Sequence, residues 1–207
     1  MKQYFELSHW DNPNNIGGSQ NELLDQLHGA RLAIDVLFYT ALKKSEYLNK
    51  YILDYGSGTG RVARVMSLIC RNIYGYEPNQ TLFNIAKEKN ELVNNKPYFI
   101  NELNELADKK FDLIYCCNVI EHLSFYKQIE LWHNIIQLAK NNALFFISYH
   151  VQKNKESLNK FLHEDYNTAI FNEDDVILKI AMERGLLGIQ SRCFIIVNQK
   201  LIPFNRF

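Results

Sequence analysis

Residues 52–65 read ILDYGSGTGRVARV. An apolar run ends in Asp54, glycines follow at Gly56, Gly58 and Gly60, and a stretch with helical apolar spacing begins at Arg61. Glycines at the carboxyl end of a first parallel strand let the backbone turn tightly and approach a ligand, while the helix that follows presents unpaired N–H groups. The segment therefore reads as a cradle for a nucleotide-like cofactor. Its spacing is G-x-G-x-G. A dinucleotide fingerprint from Gly56 requires glycine or alanine at position 61, where Arg61 stands, and no Gly-Lys-Ser/Thr follows to make a phosphate loop.

Outward from this loop, short apolar runs alternate with amphipathic stretches. The runs are residues 51–55 (YILDY), 72–76 (NIYGY), 97–100 (PYFI), 111–117 (FDLIYCC) and 142–149 (NALFFISY). Helical patterns cover residues 61–70, 81–90 with Leu82, Ile85 and Ala86 on one face, and 126–139 with Ile129, Trp132 and Ile136 on one face. This alternation predicts an α/β fold, a parallel sheet with helices on both faces. Residues 103–110 are too short to assign. Beyond a polar segment, 152–168, the pattern predicts a helix over 174–184 ended by Gly185, and residues 186–207, β-rich around 193–197 (CFIIV), suit a closing antiparallel hairpin. Ahead of the first strand, residues 23–42 predict one amphipathic helix, and residues 1–20 are aromatic and turn-rich. Residues 1–50 thus form an N-terminal helical extension on a core of residues 51–207. With Tyr4, Phe5, His9 and Trp10 the extension is either a lid over the site or a cover for one sheet edge.

The chain has 207 residues, which at roughly 150 residues per domain predicts a single domain. Lys plus Arg and Asp plus Glu each total 23, and this balance argues against a dedicated nucleic-acid binder. No stretch approaches the roughly 18 consecutive apolar residues of a membrane span, and the first residues lack the pattern of a secretory signal. A cytoplasmic protein is expected, monomeric or homodimeric. Cys70, Cys116, Cys117 and Cys193 have apolar neighbours and no C-x-x-C spacing, so they read as buried free thiols, with Cys116 and Cys117 on opposite faces of a strand.

A second anchor lies at Glu77, at the tip of the second predicted strand in residues 73–78 (IYGYEP). A carboxylate there can accept hydrogen bonds from both hydroxyls of a ribose, which suits any unphosphorylated adenosine cofactor. The ordered set DYGSGTG, YEP, FDLIYCCNVIEHL and FNEDDVILKIAMERGLLG resembles the class I S-adenosylmethionine-dependent methyltransferases over roughly residues 51–197. The resemblance implies a Rossmann-like, seven-stranded, mostly parallel sheet in the order 3-2-1-4-5-7-6, strand 7 being antiparallel. It implies S-adenosylmethionine as cofactor. By the same resemblance Asp54 and the backbone at Gly56, Gly58 and Gly60 hold the methionine portion, Glu77 the ribose, Pro78 lies beside the adenine, and Asn118 sits next to the sulfonium. Glu102 and Leu103 are the adenine contacts, with Asn101 as the fallback, and Arg31 is a candidate partner for the cofactor carboxylate.

Methyl transfer from a sulfonium is an in-line displacement from an already activated donor, so the protein chiefly aligns the reactants and excludes water. An oxygen acceptor must also lose a proton. Candidate bases are His122 and Glu121, with His150 and His163 behind them, and each has a plain alternative as a capping or exposed side chain. The spelling NVIEH over residues 118–122 also resembles the E-x-x-E-H metal motif of ubiquinone-pathway O-methyltransferases and of enzymes that methylate the 2′-hydroxyl of small RNAs. Asn118 replaces its first glutamate, a weaker and neutral ligand, so no metal is expected. The expected substrate is a small hydroxylated or amino metabolite, such as a sugar or lipid head group, with O-methylation favoured. A metal-assisted RNA 2′-O-methyltransferase, a non-catalytic S-adenosylmethionine-binding subunit and a nicotinamide-dependent oxidoreductase remain the alternatives.

Overall fold

The computed structural model describes residues 22–91, 93–123, 125–151 and 188–204. The expectations for residues 1–20, the polar segment at 152–168 with His163, and the helix at 174–184 lie outside the described residues. Seven strands are described: β1 (Tyr51–Tyr55), β2 (Asn72–Tyr76), β3 (Tyr98–Ile100), β4 (Phe111–Cys117), β5 (Ala139–Val151), β6 (Gly188–Val197) and β7 (Lys200–Pro203). The helices are α1 (Glu22–Thr40), α2 (Lys44–Tyr47), α3 (Arg61–Met66), α4 (Gln80–Asn90) and α5 (Phe125–Leu138). The five strands read from residues 51–149 all form; the helix expected over 23–42 forms as α1 but stops at Thr40, before left-handed Ala41 (φ 48°), and that expected over 61–70 ends at Met66.

The sheet runs β3-β2-β1-β4-β5-β6-β7. β1 pairs in parallel with both β2 and β4, β3 joins β2 and β5 joins β4 in parallel, and β6 runs antiparallel to β5. The chain order therefore reverses between β1 and β4, the switch point at which open α/β sheets bind ligands. The fold is the expected Rossmann-like one, but its last strands differ in order, ending 5-6-7 instead of 5-7-6. The difference lies in which strand meets β5: β6 pairs with it from Ala143↔Ile196 to Val151↔Gly188, and β7 folds back on the far side of β6 through a two-residue turn at Asn198 and Gln199, both with left-handed φ, 49° and 61°.

Alternation along the strands divides the core in two. Leu53, Ile114, Cys116, Phe145 and Ile147 pack with Leu131, Ile135 and Leu138 of α5. Ile52, Ile73, Leu113, Tyr115 and Phe146 pack with α1 and α3 on the other face. Cys116 and Cys117 fall on opposite faces as their spacing requires, and Cys70, Cys116 and Cys193 are buried. The α5 seam is a correction. The buried side is Gln128, Leu131, Ile135 and Leu138, not Ile129, Trp132 and Ile136, which are half-buried. A polar residue hides this face in the sequence: Gln128 turns inward because its Nε2 donates to the carbonyls of Ile120 (3.3 Å) and Leu123 (3.1 Å).

Helix α3 begins at Gly60, whose φ of +74° is left-handed and whose added Cβ would lie 2.4 Å from the Phe99 ring and 3.2 Å from Ala86. Strain and overlap act together there. Gly60→Ala is expected to destabilise the protein by about 2–4 kcal/mol, read as a lowered urea midpoint at unchanged slope.

Candidate active site

The carboxyl ends of β1, β2, β3 and β4 lie on one edge of the sheet, and Asp54, the glycine loop, Glu77 and the residues that follow β3 and β4 sit at those ends. Gly56 and Ser57 each donate a backbone N–H to the Tyr76 carbonyl at 2.9 Å, so the glycine loop is sewn to the end of β2. Glu77 is 6% exposed. Its Oε2 accepts the Gly58 N–H at 2.8 Å and its Oε1 accepts the Asn79 N–H at 2.9 Å. The Glu77 N–H in turn donates to the Ile100 carbonyl at 3.0 Å, which sets Asn101, Glu102 and Leu103 beside it. Glu102 is exposed at the start of a 3₁₀ turn, Leu103–Leu106, and Pro78 is exposed.

Asp54 ends β1 facing α3 and is 2% exposed. Burial pushes its carboxyl up to about 8, with the nearby Glu77 charge adding to the rise. Glu77 is likewise raised by burial to about 7, although its two backbone hydrogen bonds oppose the shift. Directly across the ladder from Asp54 stands Tyr115, wholly buried, its hydroxyl pushed well above its usual range by burial and by Asp54. Among the described residues, Ser57 Oγ is buried without a hydrogen-bond partner, and Asp54 Oδ2 and the Tyr115 hydroxyl are buried with no well-formed hydrogen bond beyond their interaction with each other. Such under-satisfied groups are uncommon in native interiors and cluster where a ligand belongs. Beside them Gly58, at φ +55°, has nothing within 4 Å of where a Cβ would stand. The group implied by the sequence fits this place: an open glycine for close approach, buried acceptors for hydroxyls, and two acids whose protonation a cationic amino group would reverse.

On the other side of the edge, Asn118 follows β4 at φ +56°. Its N–H donates to the Ser148 carbonyl at 2.8 Å, continuing the β4–β5 ladder by one residue. Residues Ile120–His122 form a 3₁₀ turn, with the His122 N–H on the Val119 carbonyl at 2.9 Å. The expectation that Asn118, Glu121 and His122 share one helical turn is therefore not met, because left-handed Asn118 and a tighter turn break the i, i+3, i+4 spacing. His122 is half-buried. His150 lies in β5, next to the end of the described stretch.

Arg31 is exposed on α1. The α1 side chain that reaches the glycine loop is Asp25, fully buried, with Arg61 Nε at 3.4 Å, Arg64 Nη2 at 3.2 Å and Lys89 Nζ at 3.0 Å. Sequence reasoning missed it, since an acid in the first turns of a helix ordinarily reads as a solvated dipole partner. Tyr115 was missed too, although as a polar tip among the apolar residues 113–117 it carried a signal.

The sequence profile of a family described as "Methyltransferase domain" matches residues 26–176. The ubiquinone biosynthesis O-methyltransferase of Rickettsia akari is 28% identical over 154 residues, which cover 72% of this chain and 58% of that protein. The chain thus spans less than two thirds of that relative's length. Among solved structures, magnesium protoporphyrin IX methyltransferase from Synechocystis PCC 6803 with bound S-adenosylhomocysteine superposes with a TM-score of 0.59 at 19% identity, over 92% of this chain and 94% of that one. Phosphoethanolamine N-methyltransferase 1 of Haemonchus contortus, in complex with phosphoethanolamine and S-adenosylhomocysteine, gives 0.53 at 19% identity, over 70% and 31%. These two likenesses are of fold.

Raised carboxyl values carry a sign. From about pH 4 to 8 the folded, ligand-free protein holds protons on Asp54 and Glu77 that the unfolded chain has released. Their contribution is complete below pH 4 and is lost as pH rises through 7 and 8. Urea melts at constant ionic strength are expected to show the wild type losing stability between pH 6 and 8.5 relative to Asp54→Asn, which removes the larger of the two titrations.

Proposed function

The chain belongs to the class I S-adenosylmethionine-dependent methyltransferases, and from that membership we propose that it methylates an oxygen of a small hydroxylated metabolite, such as a sugar or lipid head group. The observation that carries the cofactor half is the buried, under-satisfied polar trio of Asp54 Oδ2, Ser57 Oγ and the Tyr115 hydroxyl, beside the open Gly58. Asp54, with the backbone at Gly56, Gly58 and Gly60, would hold the methionine portion. Glu77 would hold the ribose, Pro78, Glu102 and Leu103 would flank the adenine, and Asn118 would stand near the sulfonium. Oxygen as acceptor is supported by the Rickettsia akari relative, whose name is that of an O-methyltransferase. The chain's charge balance favours a small substrate over RNA.

When bound, S-adenosylmethionine supplies a methyl group already activated by its sulfonium. The protein's remaining work is to orient the acceptor, exclude water and receive one proton. His122 is the side chain proposed for that proton, since it stands in the turn after β4 and imidazole titrates near neutrality. A divalent ion is not required in this reading, because the left-handed Asn118 stands outside the turn that carries residues 121 and 122. Incubation with labelled donor and a metabolite extract, followed by mass identification of the labelled product, tests the acceptor class. Label appearing in RNA or on nitrogen would overturn it.

Calorimetry is expected to show S-adenosylhomocysteine binding that Glu77→Ala weakens by about 1.5–3 kcal/mol, about 10- to 150-fold, as a charged hydrogen-bonding group is lost. Turnover gives a separate test. His122→Ala is expected to slow it by roughly 10²-fold while leaving S-adenosylhomocysteine affinity intact, and wild-type activity is expected to persist in chelator.

A further inference from the structure

The run from Gly58 to Gly60 is a backbone that rotates cheaply. Gly58 and Gly60 have φ of +55° and +74°, and the Thr59 carbonyl belongs to the Thr59–Gly60 peptide, which turns on Thr59 ψ and on the φ of a glycine. A peptide in that setting changes orientation at low cost unless something grips it, and its orientation decides where the loop's N–H groups point. Glu77 grips one end by accepting the Gly58 N–H at 2.8 Å. Within the loop the Gly60 N–H donates to the Ser57 carbonyl at 2.8 Å, which holds the N–H side of the Thr59–Gly60 peptide. The grip on its carbonyl side comes from outside the β1–β2 unit. Arg64 of α3 donates from Nη1 to the Thr59 carbonyl at 2.5 Å and from Nη2 to Asp25 Oδ2 at 3.2 Å. One planar guanidinium thus spans α1 and the middle of the loop.

We infer that Asp25 is a positioning residue for donor binding, acting through Arg64 to hold the Thr59 carbonyl and with it the glycine loop. The inference rests on the methyltransferase reading of that loop. Three features of Asp25 favour it. The side chain is fully buried, so its charge is little screened by water. Cations from two helices, Arg61 and Arg64 of α3 and Lys89 of α4, converge on it, which leaves its carboxylate little freedom to move. Thr59 Oγ1 also points to it, donating at 3.5 Å to Oδ1, so the same loop residue is approached through both its carbonyl and its hydroxyl.

A purely structural role would be charge neutralisation, one acid among three cations. The two roles separate at Arg64, because lysine keeps the positive charge beside Asp25 but, with a single nitrogen, does not bridge two acceptors in the fixed fork of a guanidinium. Full-length wild type, Asp25→Asn and Arg64→Lys should be compared by urea melts, by calorimetry with S-adenosylhomocysteine, and by hydrogen exchange of residues 57–61. The expected result is that Arg64→Lys, folded and close to wild type in stability, binds S-adenosylhomocysteine about tenfold more weakly and exchanges faster in residues 57–61, with Asp25→Asn behaving likewise. S-adenosylhomocysteine affinity within about twofold of wild type in Arg64→Lys overturns the inference, and so does unchanged affinity in folded Asp25→Asn. If Asp25→Asn does not fold, Arg64→Lys alone decides. Wild type that fails to bind S-adenosylhomocysteine overturns the methyltransferase reading instead, a distinct outcome.

Discussion

Two carboxyl groups held out of water at the ends of neighbouring strands set the terms for the rest of this molecule. Asp54 and Glu77 are 2% and 6% exposed, and neither has a cationic partner among the hydrogen bonds and ion pairs described. Burying an acid without a counter-charge is unfavourable, and the group responds by keeping its proton. Glu77 is partly relieved by two backbone N–H groups, and those same bonds fasten the glycine loop to β2. Asp54 is relieved less, by Tyr115, the Ala63 backbone and the nearby Arg61 charge, and burial still dominates, so its carboxyl stays raised.

That arrangement depends on the sheet being parallel and doubly wound. Because β1 lies between β2 and β4, the residues after all three emerge on one edge, and the crevice opens where the crossovers part to opposite faces. α1 and α3 pack on the face that carries Asp54 and Tyr115, whereas α5 packs on the other. The hydrophobic contacts of each face therefore act on the site indirectly, by fixing the register that sets Tyr115 opposite Asp54. Edge contacts contribute in the same way: the Asn118 N–H on the Ser148 carbonyl carries the β4–β5 ladder one residue past β4, so the acceptor side begins on a rigid support.

Most of the donor side was legible in residues 52–65 and 72–78, because glycine spacing and an acid after the second strand record backbone geometry directly. Short apolar runs were legible for the same reason: a strand buried on both faces is apolar throughout. What escaped was decided by contacts between segments distant in the chain. Asp25 reads as an ordinary helix acid until α3 and α4 bring three cations to it. Gln128 reads as the solvent side of α5 until two loop carbonyls turn it inward. The hairpin at the chain's end was visible in outline, but its place in the sheet follows from the long antiparallel pairing of β6 with β5, and its turn, at left-handed Asn198 and Gln199, has no glycine to announce it. After β4, the helical spacing inferred for Asn118, Glu121 and His122 assumed an α-turn, and although asparagine tolerates positive φ, its presence alone does not announce a left-handed residue ahead of a 3₁₀ turn.

The same left-handed Asn118 bears on how the acceptor side evolved its chemistry. Asparagine tolerates positive φ far better than glutamate does, since its short polar side chain can satisfy itself locally. Here φ is +56° and the Asn118 carbonyl-side oxygen, Oδ1, lies 3.5 Å from the Ser148 hydroxyl. A glutamate at this position would carry a longer chain and a full charge into a backbone region that disfavours it. Neutral asparagine avoids both penalties. The departure from the E-x-x-E-H spelling is therefore consistent with the local backbone, which at this point asks for a residue that tolerates positive φ.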